Sequence, residues 1–457
     1  MIVAKFGGTS VGDAAAIRRT AAIVQGRLAR GPVVVVSALG GTTNALLAAA
    51  ELAAGGDLMR AIETVQQLRD RHLAAVTELI GTGPDADELA ATESALLDEL
   101  AHLVEALSVL GHVTPRSLDA IASLGEQLSA PMVAAAFRRA GIDAVFVDAR
   151  KVLVTDAQFG RAEPLPDRIA AAAAEHVVPL VRAGRVPVMG GYIGATAEGI
   201  TTTLGRGGSD YSASLFGAAV GAEAIEIWTD VDGMLTADPR VVRGARLIGH
   251  IRFDEASELA SFGAKVLHPN TIAPAVAKGI PVFIFNSMNA AGTGTRITAD
   301  APRHAVRAIA GKGNTVIVTV RSPRMLGTPG ALAQIFEVFA RHRTSVDVVT
   351  TSEVSVSLTV DDDKNLAAVL DDLRRFGEVG VERERGIIAV VGAGLAEDSG
   401  AIARAIAAIG DVRLHMLSLD SSGINLTIVI DAAAMKPDRK STRLNSSHTD
   451  ISRMPSS

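Results

Sequence analysis

The chain of 457 residues contains no cysteine. That excludes disulfides, thiolate metal sites and a cysteine nucleophile, and it fits a reducing cytoplasm. Aromatic residues are scarce at 3%, so the cores must be built from aliphatic side chains and alanine. No apolar run reaches the ~20 residues of a membrane-spanning helix, although mean hydropathy is positive at +0.30. The N-terminus lacks a basic stretch followed by an apolar run, so no signal peptide is expected. Neither charge dominates: 44 basic against 50 acidic residues leave a net charge of −6, which argues against nucleic acid as the main partner. Three catalytic signatures are missing: Gly-x-x-x-x-Gly-Lys-Ser/Thr, His-Glu-x-x-His and Gly-x-Ser-x-Gly.

What is present is size and order. Hydrophobic residues make up 48% of a chain long enough for two to four domains. Up to about residue 298, apolar strand-like runs alternate with alanine-rich helical stretches. Candidate strands are 2–6, 33–37, 144–148, 186–190, 224–229 and 281–285. Fully apolar strands separated by helices predict a mostly parallel sheet covered on both faces. Residues 44–110 carry long helical patterns and read as a helical subdomain, a lid or a simple surface pair. Residues 289–304 are rich in Gly, Thr and Pro and read as a linker. Two smaller βαββ-type units follow. The first has strands 314–320, 345–349 and 354–360 and helix 330–342; the second has strands 386–391, 412–419 and 424–430 and helix 399–408. The polar, aperiodic stretch from about Lys436 falls where a closing helix of the second unit is due. It reads as foreign sequence or a disordered tail.

The chemistry-bearing residues sit where strands end. Lys5 lies in the first apolar strand and is followed at once by Gly7-Gly8-Thr9-Ser10. A cation with glycines and hydroxyls suits a phosphate, because backbone N–H groups can close on the anion; a tight turn with a surface lysine is the other reading. A second such nest, Ser37 to Asn44, follows the next strand, at the edge where open α/β sheets bind ligands. Arg206, flanked by Gly205 and Gly207, can approach a carboxylate and grip it through two parallel hydrogen bonds. Asp210 is a candidate for Mg²⁺ or for positioning phosphates. Strand 225–228 ends in Thr229-Asp230, and its Trp228 reads as a wall or core residue. Lys265 stands near Gly263. His268 has no metal-spaced partner and reads as structural.

Four of these blocks, in order, resemble aspartate kinases of the amino-acid kinase family: Lys5–Val11, Thr203–Asp210, Trp228–Asp230 with Thr236–Arg240, and Phe262–Pro269. The resemblance runs from Lys5 to about Asp431. It implies an α/β amino-acid-kinase fold, a mostly parallel open sheet sandwiched by helices, over 1–298, with a helical subdomain at about 44–115. Two ferredoxin-like βαββαβ ACT domains would follow, at 306–380 and 381–435, the second truncated, before a non-native or disordered tail at 436–457. The implied reaction moves the γ-phosphate of ATP, with Mg²⁺, to the side-chain carboxylate of L-aspartate. On this resemblance Lys5, Gly7, Gly8 and Ser10 meet the phosphates. Thr43, Glu126, Arg206 and Ser209 hold the substrate, with Glu126 on its ammonium group. Thr229, Asp230, Asp238, Arg240 and Lys265 surround the nucleotide, and Lys5, Arg206 and Asp230 form the catalytic set. Leu235 stands where many relatives carry a tyrosine. The block 346–353 resembles the effector segment of lysine-inhibited forms, so L-lysine is the expected inhibitor and threonine the alternative. It would bind near Met325, Thr328, Asp347, Thr351 and Ser352 at an ACT interface between two chains of a homodimer. A non-catalytic amino-acid sensor on the same fold is the competing reading.

Overall fold

The computed structural model describes residues 1–262, 269–322, 329–361 and 365–435. The chain divides into two compact units. One is Met1–Met234 with Val266–Ala299; the other is Leu235–Lys265 with the chain from Asp300 onward. Residues 235–265, placed with the catalytic half by the sequence pattern, cluster with the second unit.

The first unit is organised by an open sheet. Its strands lie in the order Ala144–Phe146, Val186–Gly190, Pro32–Val36, Ile2–Phe6, Ala224–Thr229, Val282–Asn286 and Thr295–Thr298. The first six are parallel and only the last pair is antiparallel. Pro32–Val36 and Ile2–Phe6 are buried along their whole length. β-Branched residues pack well on pleats covered on both faces, which is why these runs read as strands. Trp228 is fully buried, stacked on Phe6 and tilted against Phe285, and is therefore a core residue.

The 44–110 region folds as three helices, Thr42–Ala54, Leu58–Ile80 and Pro84–Leu110, which share an aliphatic core with the helix Pro115–Arg139. Their ends are set locally. Asp57 caps the second helix, Pro84 opens the third, and Thr114 and Ser117 form a capping box at the fourth.

The second unit holds a six-stranded antiparallel sheet ordered Val346–Thr351, Ser355–Asp361, Ala308–Arg321, Glu378–Val391, Asn425–Asp431 and Leu414–Leu419. The two central strands have 14 residues each and serve both small modules. Residues 315–321 pair with 355–361 and with 378–385, completing a βαββαβ module with the helices Ala331–Arg341 and Leu366–Leu373. Residues 308–312 pair instead with 387–391. They supply the fourth strand of the second module from the chain that precedes the first. The bulge between Lys312 and Thr315 marks the changeover.

Candidate active site

The parallel register brings the C-terminal ends of three neighbouring strands together. Phe6 pairs with Val36 and with Trp228, so the turns leaving these strands share one edge of the sheet. Two helices begin there. Thr42–Ala54 starts after Gly41 (φ 82°) and Gly208–Val220 starts after Gly207 (φ 74°). Both are capped by left-handed glycines without a side-chain cap. The Thr42, Gly208 and Asp210 N–H groups donate to the Leu39, Gly205 and Gly207 carbonyls, which leaves the N–H groups of Thr43, Asn44 and Ser209 to meet an anion.

Between these elements lies a cavity of about 560 Å³ lined by Lys5, Gly8, Ser37–Gly41, Thr43, Asn44, Leu47, Glu126, Tyr192 and Gly205–Asp210. It gathers Lys5, Gly8, Thr43, Glu126, Arg206, Ser209 and Asp210 of the sequence-derived set. Lys5 Nζ is 2.7 Å from Asp210 Oδ1, with both side chains largely buried. Ser37 Oγ donates to Ser209 Oγ at 3.1 Å, which ties the second nest to the start of the 208–220 helix. Arg206 is exposed and makes no ion pair among the described residues.

Glu126 carries the strongest electrostatic signal in the site. It is 3% exposed, on the helix Pro115–Arg139. Its Oε1 accepts from the Ala38 N–H at 3.1 Å, and Oε2 has no partner. Burial pushes its pKa up to about 8, against the opposing pull of the Ala38 hydrogen bond and the Lys5 charge. A buried carboxyl group with an unpartnered oxygen, on a residue that lines a cavity, is a place for an incoming cation. An exposed arginine on the same cavity is a place for a carboxylate. Together they suit a zwitterion.

Other residues of the expected set are placed differently. Gly7 N–H donates to the Trp228 carbonyl at 3.1 Å, and the buried Ser10 hydroxyl donates to Ser287 Oγ at 2.8 Å. These groups fasten the first nest to the sheet rather than line the cavity. Thr229 and Asp230 leave the sheet at the same edge, and the Thr229 hydroxyl donates to Asp230 Oδ1 at 3.1 Å. Asp238 and Arg240 belong to the second unit and form an exposed two-point ion pair. In the effector segment Asp347 is ion-paired. Thr351 ends its strand, and Ser352 closes the turn onto Ser355 at 2.7 Å. Lys265, His268, Met325 and Thr328 lie outside the described residues.

Sequence reading missed the residues that hold the site in shape. Asp119, buried at 2% exposure, accepts from Thr203 Oγ1 at 2.6 Å, Thr203 N–H at 3.0 Å and Gly160 N–H at 2.8 Å. It pins the approach to the arginine loop onto the Glu126 helix. His72 and Glu93, from adjacent helices, form a buried pair at 3.1 Å, and His72 Nε2 lies 3.4 Å from Thr42 Oγ1 beside the second nest. Burial raises the Glu93 pKa, with His72 pulling the other way.

The amino acid kinase family model matches residues 1–286 and an ACT domain model matches 318–370. Lysine-sensitive aspartokinase 3 of Escherichia coli is 37% identical over 441 residues, 94% of this chain and 95% of that one. Chloroplastic aspartokinase 1 of Arabidopsis thaliana is 35% identical over 94% of this chain and 77% of its own length. The solved structure of E. coli aspartokinase III with aspartate and ADP (R-state) superposes with a TM-score of 0.85 at 36% identity, covering 98% of this chain and 99% of that one. The same enzyme with lysine and aspartate (T-state) gives 0.81, covering 99% of each. The similarity to aspartokinases runs over nearly the whole chain, which belongs to the aspartokinases of the amino acid kinase family.

Proposed function

We propose that this chain transfers the γ-phosphoryl group of ATP to the side-chain carboxylate of L-aspartate, giving 4-phospho-L-aspartate and ADP. The observation that carries the reading is the unpartnered Oε2 of buried Glu126 in the same cavity as Lys5 and the unpaired Arg206. Glu126 receives the substrate ammonium group and Arg206 a substrate carboxylate.

The attacking carboxylate is ionised at neutral pH, since a free aspartate side chain titrates near ~3.9. No general base is required. Catalysis is then positioning two anions and neutralising charge on the transferring group. Lys5 supplies that charge from a strand end that cannot shift without breaking register. The N–H groups of Thr43, Asn44 and Ser209 at the two helix starts supply oriented dipoles. Thr43 and Ser209 bond the substrate, and Thr229, Asp230, Asp238, Arg240 and Lys265 serve the nucleotide.

Magnesium fits the site in one limited way. The described residues offer no cluster of three metal-ligating side chains, and the Asp210 carboxylate is already shared with Lys5. Mg²⁺ would therefore be carried mainly by phosphate oxygens and water, with Asp210 as its protein ligand, and would neutralise phosphate charge.

Lysine is the proposed inhibitor, held at the ACT modules through Asp347, Thr351 and Ser352 with Met325 and Thr328. The E. coli enzyme crystallised with lysine in its T-state supports this. A homodimer through these modules and a cytoplasmic location complete the proposal; no described helix is long and apolar enough to cross a membrane.

The test is coupled measurement of ADP release with MgATP and L-aspartate, against L-glutamate and no acceptor, with L-lysine or L-threonine added. Aspartate-dependent turnover inhibited by lysine is expected. Amino-acid binding without turnover would return the sensor reading.

A further inference from the structure

The effector carboxylate proposed above is already in contact with an ammonium group of its own chain. Lys312 Nζ lies 2.6 Å from Asp347 Oδ2 and 2.8 Å from Asp361 Oδ1, with the lysine and Asp347 side chains 23% and 20% exposed. One cation bridges two carboxylates, leaving the group at a formal charge of −1. Burial lowers the Lys312 pKa, yet the two carboxylates outweigh it and hold it above the usual value.

The second module shows which part of this cluster belongs to the repeat. There Arg385 stands opposite Asp431 in the strand register, as Thr315 stands opposite Asp361 in the first module. Arg385 pairs with Asp431 at 2.8 Å, so in both modules a cation reaches the carboxylate that ends the third strand, although Lys312 comes from the 308–312 segment, three residues before the register position of Arg385. The position of Asp347, second residue of its strand, is taken in the second module by His415. His415 is 3.1 Å from Glu382 and 2.9 Å from Asp431. A cation on the carboxylate that ends the third strand thus recurs in both modules, as Lys312–Asp361 and Arg385–Asp431, while a carboxylate at the second residue of the second strand, reached by that cation, is found in the first alone.

We infer that Lys312 is a tethered competitor of the cationic effector at Asp347, and that it sets how much free lysine is needed to occupy the site. The inference rests on the effector reading above. Lys312 can yield Asp347 to an incoming ammonium group because Asp361 still holds it, so neither charge is stranded in a half-buried position. A tethered ammonium acts at high effective concentration, and its neutralising charge also weakens the attraction of Asp347 for a free cation.

The experiment is isothermal titration of L-lysine into the full chain and into its Lys312→Met, Lys312→Gln and Asp347→Asn variants. Lys312→Met and Lys312→Gln should bind L-lysine roughly tenfold tighter or more, because one hydrogen-bonded charge contact no longer has to be displaced. Asp347→Asn should lose binding. Equal or weaker binding by both Lys312 variants, with binding lost in Asp347→Asn, would overturn the competitor role and make Lys312 a support for Asp347. Undiminished binding in Asp347→Asn, or no binding by the parent and the Lys312 variants, would overturn the effector reading and this inference with it.

Discussion

Glu126→Gln should make the unliganded protein more stable and the enzyme worse. Raising a carboxyl from 4.5 to about 8 by burial means that the folded chain keeps a proton the unfolded chain has released. Below pH 4.5 both states are protonated and the group is neutral to folding. Between 4.5 and about 8 the unfolded state loses its proton first, so stability falls as pH rises, at ~1.36 kcal/mol per pH unit. Above about 8 the loss is complete. At pH 7 the interval from 4.5 to 7 corresponds to a loss of ~3 kcal/mol. Glutamine keeps the shape and an acceptor for the Ala38 N–H but never ionises. Thermal or urea unfolding of ligand-free parent and variant from pH 5 to 8.5 should show the stability gap widening in the variant's favour and levelling off above pH 8. L-Aspartate should stabilise the parent far more than the variant, since its ammonium group supplies the missing partner of Oε2. KM for aspartate should rise roughly ten- to a hundredfold. A gap that does not change with pH would refute the buried-carboxyl reasoning, whatever happened to the kinetics.

Two further outcomes follow from the same geometry. Lys5→Ala removes the charge that meets the transferring phosphoryl group, and kcat should fall roughly a hundredfold or more with unfolding unchanged in cooperativity; steady-state kinetics within a few-fold of the parent would show that Lys5 does not stabilise the transferring group. His72→Leu strands the buried Glu93 beside the second nest, and removing one partner of a buried pair should destabilise the chain by ~3–5 kcal/mol, read by urea unfolding, with Glu93→Gln in the same background restoring part of the loss.

The fold was legible in the sequence where burial is uniform. Pro32–Val36 is apolar from end to end, and Ile2–Phe6 is apolar but for Lys5, because both faces of a parallel sheet are covered. Much of the cavity wall was legible too, because a ligand edge needs glycine and hydroxyl where strands stop. The strand residues 378–385 were not. They read Glu-Val-Gly-Val-Glu-Arg-Glu-Arg and are mostly exposed, so hydrophobic pattern gives them no signature. The transfer of 308–312 to the second module is a long-range pairing decision that local sequence does not encode. Glu93 and His72 sit on separate amphipathic helices, and spacing within each helix says nothing about which polar residue meets which across the interface. Asp119 looks like any helical acid until the loops it anchors are folded against it. The nucleotide set Thr229, Asp230, Asp238 and Arg240 was named from a motif, and the structure distributes it over two units.

The central claim is that the phosphoryl group lands on the side-chain carboxylate of aspartate. Trapping with hydroxylamine tests it most directly, because hydroxylamine converts an acyl phosphate into a hydroxamate and releases phosphate. With MgATP and L-aspartate the account predicts one aspartyl hydroxamate formed for each ADP released, and none with L-glutamate. ADP released without hydroxamate, or hydroxamate formed equally from glutamate, would contradict it.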